Sequence, residues 1–246
     1  MLAFTHPGKV GDLLYSLPTV KYICEAKGQQ GDFWTSEYCY PIVRRLLERQ
    51  SYIRRCILSP TYVIEGMDMG VRPSKVPVDV SLYETTYHLG FRSVPDSALP
   101  DFIARSVGST WNGKIEYEYD DVETLDEPYI VLAPRGETSY KNMFLDLIKS
   151  SPIKTVIIGG LGDLIGDGTA LNKCGLDLVE TLPWIAKSKG FIGLMSSQLV
   201  LANGCDVKRV SPHDGIHWDM RHVIYSDKNF YPVNPTAKEI INILGL

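Results

Sequence analysis

Tyr129-Ile130-Val131-Leu132-Ala133 is an unbroken apolar run, rich in β-branched and aromatic residues, that follows the acidic stretch Asp120-Asp121-Val122-Glu123-Thr124-Leu125-Asp126-Glu127-Pro128. A short apolar run without polar alternation reads as a strand buried on both faces, the type of strand a parallel sheet requires. The acidic stretch has no periodicity and reads as a boundary, dividing the chain into residues 1–124 and 125–246. Downstream the pattern predicts a helix over 142–150 and strands over 155–158 and 176–179. A helix over 182–188, a strand over 190–194 and a helix over 197–204 follow. Strands over 207–210 and 223–225 come last, then a helix over 235–244 with Pro235 near its first turn, where a missing N–H costs little.

Upstream of the boundary the same alternation appears. Residues 2–5 read as a strand, and Asp12 to Lys27 repeats Leu13, Leu17, Val20 and Cys24 at helical spacing. Strands are expected over 32–35, 55–59 and 78–82, with a helix over 40–50 and a Gly- and Pro-punctuated loop over 67–77. Two successive runs of alternating strands and helices place the chain in the α/β class, with parallel sheets flanked by helices.

Composition narrows the function classes. The 246 residues carry a formal net charge of −4, so the chain as a whole has no attraction for nucleic acid or anionic lipid. Met1 to Thr5 is too brief for a signal-peptide core, and no apolar run approaches the about 18 residues of a membrane helix. Cys24, Cys39, Cys56, Cys174 and Cys205 are odd in number and widely spaced, which reads as reduced thiols rather than a disulfide frame or zinc site. A cytoplasmic protein is expected.

Chemistry concentrates in loops after strands. His6-Pro7-Gly8-Lys9-Val10-Gly11-Asp12 joins the first strand to the first helix, and in an open α/β sheet ligands bind at the carboxyl ends of strands. Asp12 either caps the helix or offers a carboxylate to a ligand. Lys9 either holds Asp12 ionised, approaches an anionic substrate group, or is a solvated loop lysine. Gly-Lys here is not followed by Ser or Thr, so this is no Walker A loop.

Ala133-Pro134-Arg135-Gly136-Glu137-Thr138-Ser139-Tyr140-Lys141-Asn142 leads into a helix, and its cations and hydroxyls suit anionic oxygens at a helix start. Gly159-Gly160-Leu161-Gly162-Asp163 lacks the Gly-x-Gly-x-x-Gly spacing and reads as a turn lining a ligand site. His213, Asp214, His217 and Asp219 form a loop cluster whose Pro212 and Gly215 oppose a helical metal site, so structural roles or substrate contacts are expected. Trp184, Tyr38 and Tyr40 either stack on a base or sugar or pack in the core.

Gly11-Asp12-Leu13-Leu14-Tyr15-Ser16-Leu17-Pro18 resembles the Gly-Asp-x-x-x-x-Leu-Pro opening of the heptosyltransferase-like enzymes of glycosyltransferase family 9. Lys141 matches a lysine of that family, with Asn142-Met143 where the family has Trp-Pro. The stretch Gly190 to Ala202 resembles its strand–loop–helix carrying Asp-Ser/Thr-Gly: Ser196 matches the hydroxyl, while Met195, Ser197 and Val200 stand in place of Asp, Gly and a downstream His.

The resemblance implies a GT-B fold, two Rossmann-like domains facing across a cleft, with an acceptor-side domain at 1–124 and a nucleotide-sugar-binding domain at 125–246. It implies inverting sugar transfer from a nucleotide-diphosphate-sugar, without metal or other cofactor, to a glycan, lipid-linked saccharide or other hydroxyl acceptor. Asp12 matches the family's general base, with Lys9 and Gly11 on the acceptor-side loop. The donor phosphates fall to Arg135, Thr138, Ser139, Lys141, Gly160, Met195, Ser196, Ser197 and Gln198. Two alternatives accompany this. The substitution at Met195 fits a catalytically degenerate protein that binds a nucleotide or sugar phosphate. A basic stripe of Arg44, Arg45, Arg49, Arg54 and Arg55 would fit transfer to a modified nucleic-acid base, a partner the acidic charge disfavours.

Overall fold

The computed structural model describes residues 1–6, 8–59, 80–90, 95–134, 140–163, 168–215, 224 and 226–246. The expected loop over 67–77, and most of the strand expected over 223–225, lie outside these residues. The described residues form two compact units, one up to Tyr119 and one from Asp120 onward.

The first unit contains β1 (Leu2–His6), α1 (Val10–Lys27), β2 (Gly31–Ser36), α2 (Tyr40–Arg49), β3 (Ile53–Ser59), a 3-10 turn (Val80–Leu82), β4 (Thr85–His88) and α3 (Leu99–Ser106). Its sheet runs β3-β2-β1-β4, all parallel. β1 lies inside the sheet and every one of its residues is buried. α1 is also buried at five consecutive positions, Leu13 to Leu17, because it is packed between the sheet and α3. Pro18 sits inside α1 and removes one helical N–H donor, while Ser16 Oγ donates to the Leu13 carbonyl at 2.6 Å in the same turn. α1 ends where Gly28 adopts φ 63°, a left-handed cap that a side chain would strain.

The second unit contains β5 (Tyr129–Ala133), α4 (Lys141–Ser150), β6 (Lys154–Gly159), a 3-10 turn (Leu161–Asp163), β7 (Leu171–Cys174) and α5 (Leu178–Ala186). It continues with β8 (Phe191–Gly193), α6 (Ser197–Asn203), β9 (Arg209–Val210), β10 (Asn229–Phe230) and α7 (Ala237–Leu244). The parallel sheet runs β7-β6-β5-β8-β9-β10. On one face Ile130, Leu132, Ile192, Leu194 and Val210 form a core with Phe144 and Leu147 of α4 and Ile240 and Leu244 of α7. On the other, Tyr129 donates its hydroxyl to the Trp184 carbonyl of α5 and meets the Trp184 ring edge-on. Trp184 is therefore a core residue.

Numbered from its own first strand, the second sheet has the order 3-2-1-4-5-6, and the first has 3-2-1-4. Both are doubly wound, with a topological switch beside the first strand: β1/β4 in one unit and β5/β8 in the other. Each unit is Rossmann-like.

Several expected elements differ. The strand expected over 78–82 is a 3-10 turn where it is described, and the strand that pairs with β1 is β4. Leu176 to Val179 reads as a strand by alternation, yet Asp177 accepts the Glu180 N–H at 2.9 Å and starts α5. Pro235 lies just outside α7, whose cap is Thr236, reciprocally hydrogen-bonded with Glu239.

A bulge opposite Asp32 explains an unexpected cluster. Gly31 pairs with Ile53, but Asp32 pairs with Arg55, so two consecutive arginines face one carboxylate. Arg54 donates to Asp32 at 2.7 and 2.6 Å, Arg55 at 3.0 Å and the Tyr83 hydroxyl at 2.7 Å. Burial alone would raise this carboxyl, and the three donors together hold it below the ordinary aspartate value. Among the described residues, no helix is long and apolar enough to cross a membrane.

Candidate active site

At the first switch point the chain leaves β1 and turns into α1 within a few residues. Gly8 is the pivot. Its N–H donates to His6 Nδ1 at 2.9 Å, and its carbonyl accepts the Cys39 thiol at 3.3 Å. The Lys9 N–H donates to Asp12 Oδ2 at 3.3 Å, so Asp12 does cap the helix start. Lys9 reaches Asp12 through its backbone, and no ion pair joins the Lys9 ammonium to that carboxylate among the described residues. Lys9, Gly11 and Asp12 are each half-buried. A side chain at Gly8 has no room: a Cβ there would stand 2.6 Å from His6 Cε1, 2.8 Å from Asp12 Cβ and 2.9 Å from Asp12 Oδ2.

Across the same switch point, Thr5 Oγ1 and His88 Nδ1 are 2.9 Å apart, joining the carboxyl ends of β1 and β4. Sequence reasoning missed His88 because β4 was not foreseen, and missed Cys39 because only the fold brings it to Gly8. This end of the sheet therefore groups a carboxylate, an imidazole and a thiol around one tight turn, with a second imidazole at the end of the neighbouring strand.

At the second switch point, β5 leads toward α4 and β8 toward α6, with Ala133 and Gly193 paired at the end of the two strands. Arg135, Thr138 and Ser139 lie outside the described residues. Lys141 is the first residue of α4 and is exposed. Met195, Ser196, Ser197 and Gln198 are all half-buried at the start of α6. Ser196 stands at the cap position but makes no capping bond, and among the described residues its buried hydroxyl oxygen has no hydrogen-bond partner. Ser197 Oγ instead donates to Gln198 Oε1 at 3.2 Å. The Tyr140 hydroxyl is likewise buried without a hydrogen-bond partner among the described residues, and burial, then the nearby Asp214, push it up from the usual phenol value.

Gly160 follows β6, and its N–H is already taken by Asp163 Oδ2 at 2.8 Å. Gly159 adopts φ 142°, and a Cβ there would lie 2.4 Å from the same carboxylate oxygen. This glycine turn folds around its own aspartate, which occupies the donor a phosphate would need.

His213 is a structural residue. Its Nδ1 accepts the Gly215 N–H at 3.0 Å, which leaves Nε2 to donate to the Tyr231 carbonyl at 3.1 Å. His217 and Asp219 lie outside the described residues, and among those described no group of three or more metal-ligating side chains comes together. Of the arginines, Arg54 and Arg55 are engaged by Asp32, while Arg44 pairs with Glu48 at 3.1 Å and lies over the Tyr40 ring. Tyr38 remains exposed.

Neither a protein-family model nor a curated protein matches the chain. Solved structures do. The structure of a glycosyl transferase family 9 protein from Veillonella parvula matches with a TM-score of 0.71, over 99% of this chain and 88% of that one, at 12% identity. ADP-heptose LPS heptosyltransferase II of E. coli matches at 0.69, over 99% and 97%, at 13% identity. The fold is that of the family 9 glycosyltransferases. The iron-containing dodecameric glycosyltransferase TibC of enterotoxigenic E. coli matches at 0.64, over 95% of this chain at 16% identity, and this chain spans 65% of its length. In this GT-B framework the Gly11-Asp12 pair stands after the first strand of the first unit, and Ser196 after the fourth strand of the second.

Proposed function

We propose that this protein is an inverting glycosyltransferase that moves a sugar from a nucleotide-diphosphate-sugar to an acceptor hydroxyl. The observation that carries the reading is the position of Asp12 at the β1/β4 switch point of a heptosyltransferase-like fold, where an open parallel sheet presents its ligand site. Asp12 takes the proton of the acceptor hydroxyl as its oxygen attacks the anomeric carbon. The bond from that carbon to the diphosphate breaks in the same displacement, and its electron pair leaves on the β-phosphate oxygen. One displacement inverts the anomeric centre.

Negative charge accumulates on the departing diphosphate, and the second unit supplies groups to offset it. Lys141 is exposed at the start of α4, and Ser196 and Ser197 stand at the start of α6, where unpaired N–H groups favour anionic oxygens. Arg135, Thr138 and Ser139 belong to the same assignment. These cations and donors take the place of a metal in this reading, so chelation leaves transfer unchanged. The acceptor is a glycan, a lipid-linked saccharide or another hydroxyl compound. A nucleic-acid acceptor is not supported: Asp32, shared by Arg54 and Arg55, and Glu48, paired with Arg44, offset two of the five charges of the basic stripe it would need.

Met195 favours a second reading, a protein that binds a nucleotide sugar without turning it over, since a thioether just before the cap of α6 cannot replace a carboxylate. A panel of ADP-, UDP- and GDP-sugars separates the two. Binding of one nucleotide diphosphate, with release of sugar of inverted anomeric configuration in the presence of EDTA, is expected. Binding without transfer to water or to any of a set of added alcohol and saccharide acceptors selects the second reading. Absence of binding across the panel removes both.

A further inference from the structure

We infer that His6 is a positioning residue: through Gly8 it sets the orientation of the Asp12 carboxylate. The inference rests on the proposed role of Asp12 and extends it to a residue that role does not involve.

Two consecutive peptide units separate His6 from the N–H that meets Asp12. The first ends in the Gly8 N–H, which His6 Nδ1 accepts at 2.9 Å. The second contains the Gly8 carbonyl and the Lys9 N–H. In a planar trans peptide these point in opposite directions, so fixing one aims the other. Cys39 Sγ donates to that carbonyl at 3.3 Å, and the Lys9 N–H on the opposite side points at Asp12 Oδ2. His6 is fully buried at the end of β1, so the anchor for this chain of bonds is the sheet itself.

Sterics close the arrangement. The Cα of Gly8 lies between the imidazole and the carboxylate so tightly that a single added carbon would stand under 3.0 Å from both. The His6 ring, the glycine and the Asp12 side chain thus form one packed stack. A ring nitrogen that accepts a hydrogen bond at this point is a specific requirement. A leucine would fill the space without accepting. Asparagine places its amide oxygen near the Nδ1 position, whereas glutamine carries its amide one carbon further out.

The test compares His6→Asn, His6→Gln and His6→Leu. The direct readout is the Lys9 amide proton in nitrogen-edited NMR, which a carboxylate acceptor moves downfield. It is expected to hold its position in H6N and move upfield in H6Q and H6L. Turnover of whichever nucleotide-sugar in the ADP, UDP and GDP panel is accepted should follow: kcat near wild type in H6N, lowered by about 100-fold in H6Q and H6L, with KM for the donor unchanged. Should H6L fail to fold, the Asn and Gln variants alone decide. Equal Lys9 shifts in those two, or equal kcat, overturn the inference. If Asp12→Asn retains full turnover, the role of Asp12 fails and this inference with it. If D12N is inactive while H6Q matches wild type, only the role of His6 fails.

Discussion

Gly8→Ala isolates the tightest contact in the candidate site. Gly8 is not among the glycines with positive φ, so alanine meets no backbone strain and the effect is one of space. The added Cβ would lie 2.6 to 2.9 Å from His6 Cε1, Asp12 Cβ and Asp12 Oδ2, where carbon contacts settle near about 3.5–4.0 Å. Relief therefore requires about 1 Å of movement. The His6 ring is enclosed at the end of β1, and Asp12 Cβ is fixed to the first turn of α1, so the carboxylate is the part that can turn away. Overpacking of this kind costs about 1–3 kcal/mol, or roughly 2–12 °C in melting temperature for a chain of this size. A base displaced by about 1 Å loses about 100-fold in rate. Calorimetry and single-turnover transfer on the same sample measure both, and nucleotide diphosphate affinity should stay at its wild-type value. A folded G8A protein with wild-type rate would refute the reasoning, because it would mean the carboxylate tolerates displacement or does no chemistry.

Asp32→Asn removes the charge that Arg54, Arg55 and Tyr83 surround; since both arginines are about half exposed and can return to water, the expected loss is about 1–3 kcal/mol in denaturant unfolding. The folded-state pKa of Asp32 is lowered, so its stabilisation is complete above the unfolded value near about 3.9 and fades as pH falls through the folded value. The wild-type stability curve should therefore steepen on the acid side relative to D32N, and parallel curves would contradict the assignment. Burial pushes the thiols of Cys24, Cys56 and Cys205 up to about 12, so a thiol reagent at neutral pH should leave all three unmodified until the chain unfolds. Mass spectrometry locating label on Cys205 in the native protein would count against its buried placement against the last turn of α6.

Strands buried on both faces were legible in the sequence because they are unbroken apolar runs: Leu2 to Thr5, Tyr129 to Ala133, Thr155 to Ile158. Of the edge strands, β3 was foreseen over 55–59, but β4 and β7 were not. β4 is Thr-Thr-Tyr-His with every residue half-buried, and β7 is Leu-Asn-Lys-Cys with its first two residues exposed, so neither carries the run that marks a central strand. α3 packs its apolar face on α1 but is only eight residues long and begins at Leu99-Pro100, too short for its period to repeat. Asp12 was readable because its octet is local. Its supports are not local: Cys39 lies 31 residues from Gly8, and His88 lies 83 residues from Thr5, so only parallel pairing beside β1 brings them to the site. The glycine turn at Gly160 shows the reverse case, where residues suited to a phosphate fold onto Asp163 instead.

Single-turnover transfer with saturating nucleotide-sugar, measured for wild type and Asp12→Asn alongside donor affinity on the same preparations, tests the role of Asp12 most directly. Unchanged affinity with a rate lowered by about 100- to 10,000-fold is the predicted result, the span a positioned general base supplies. A D12N protein that transfers sugar at the wild-type rate would contradict it.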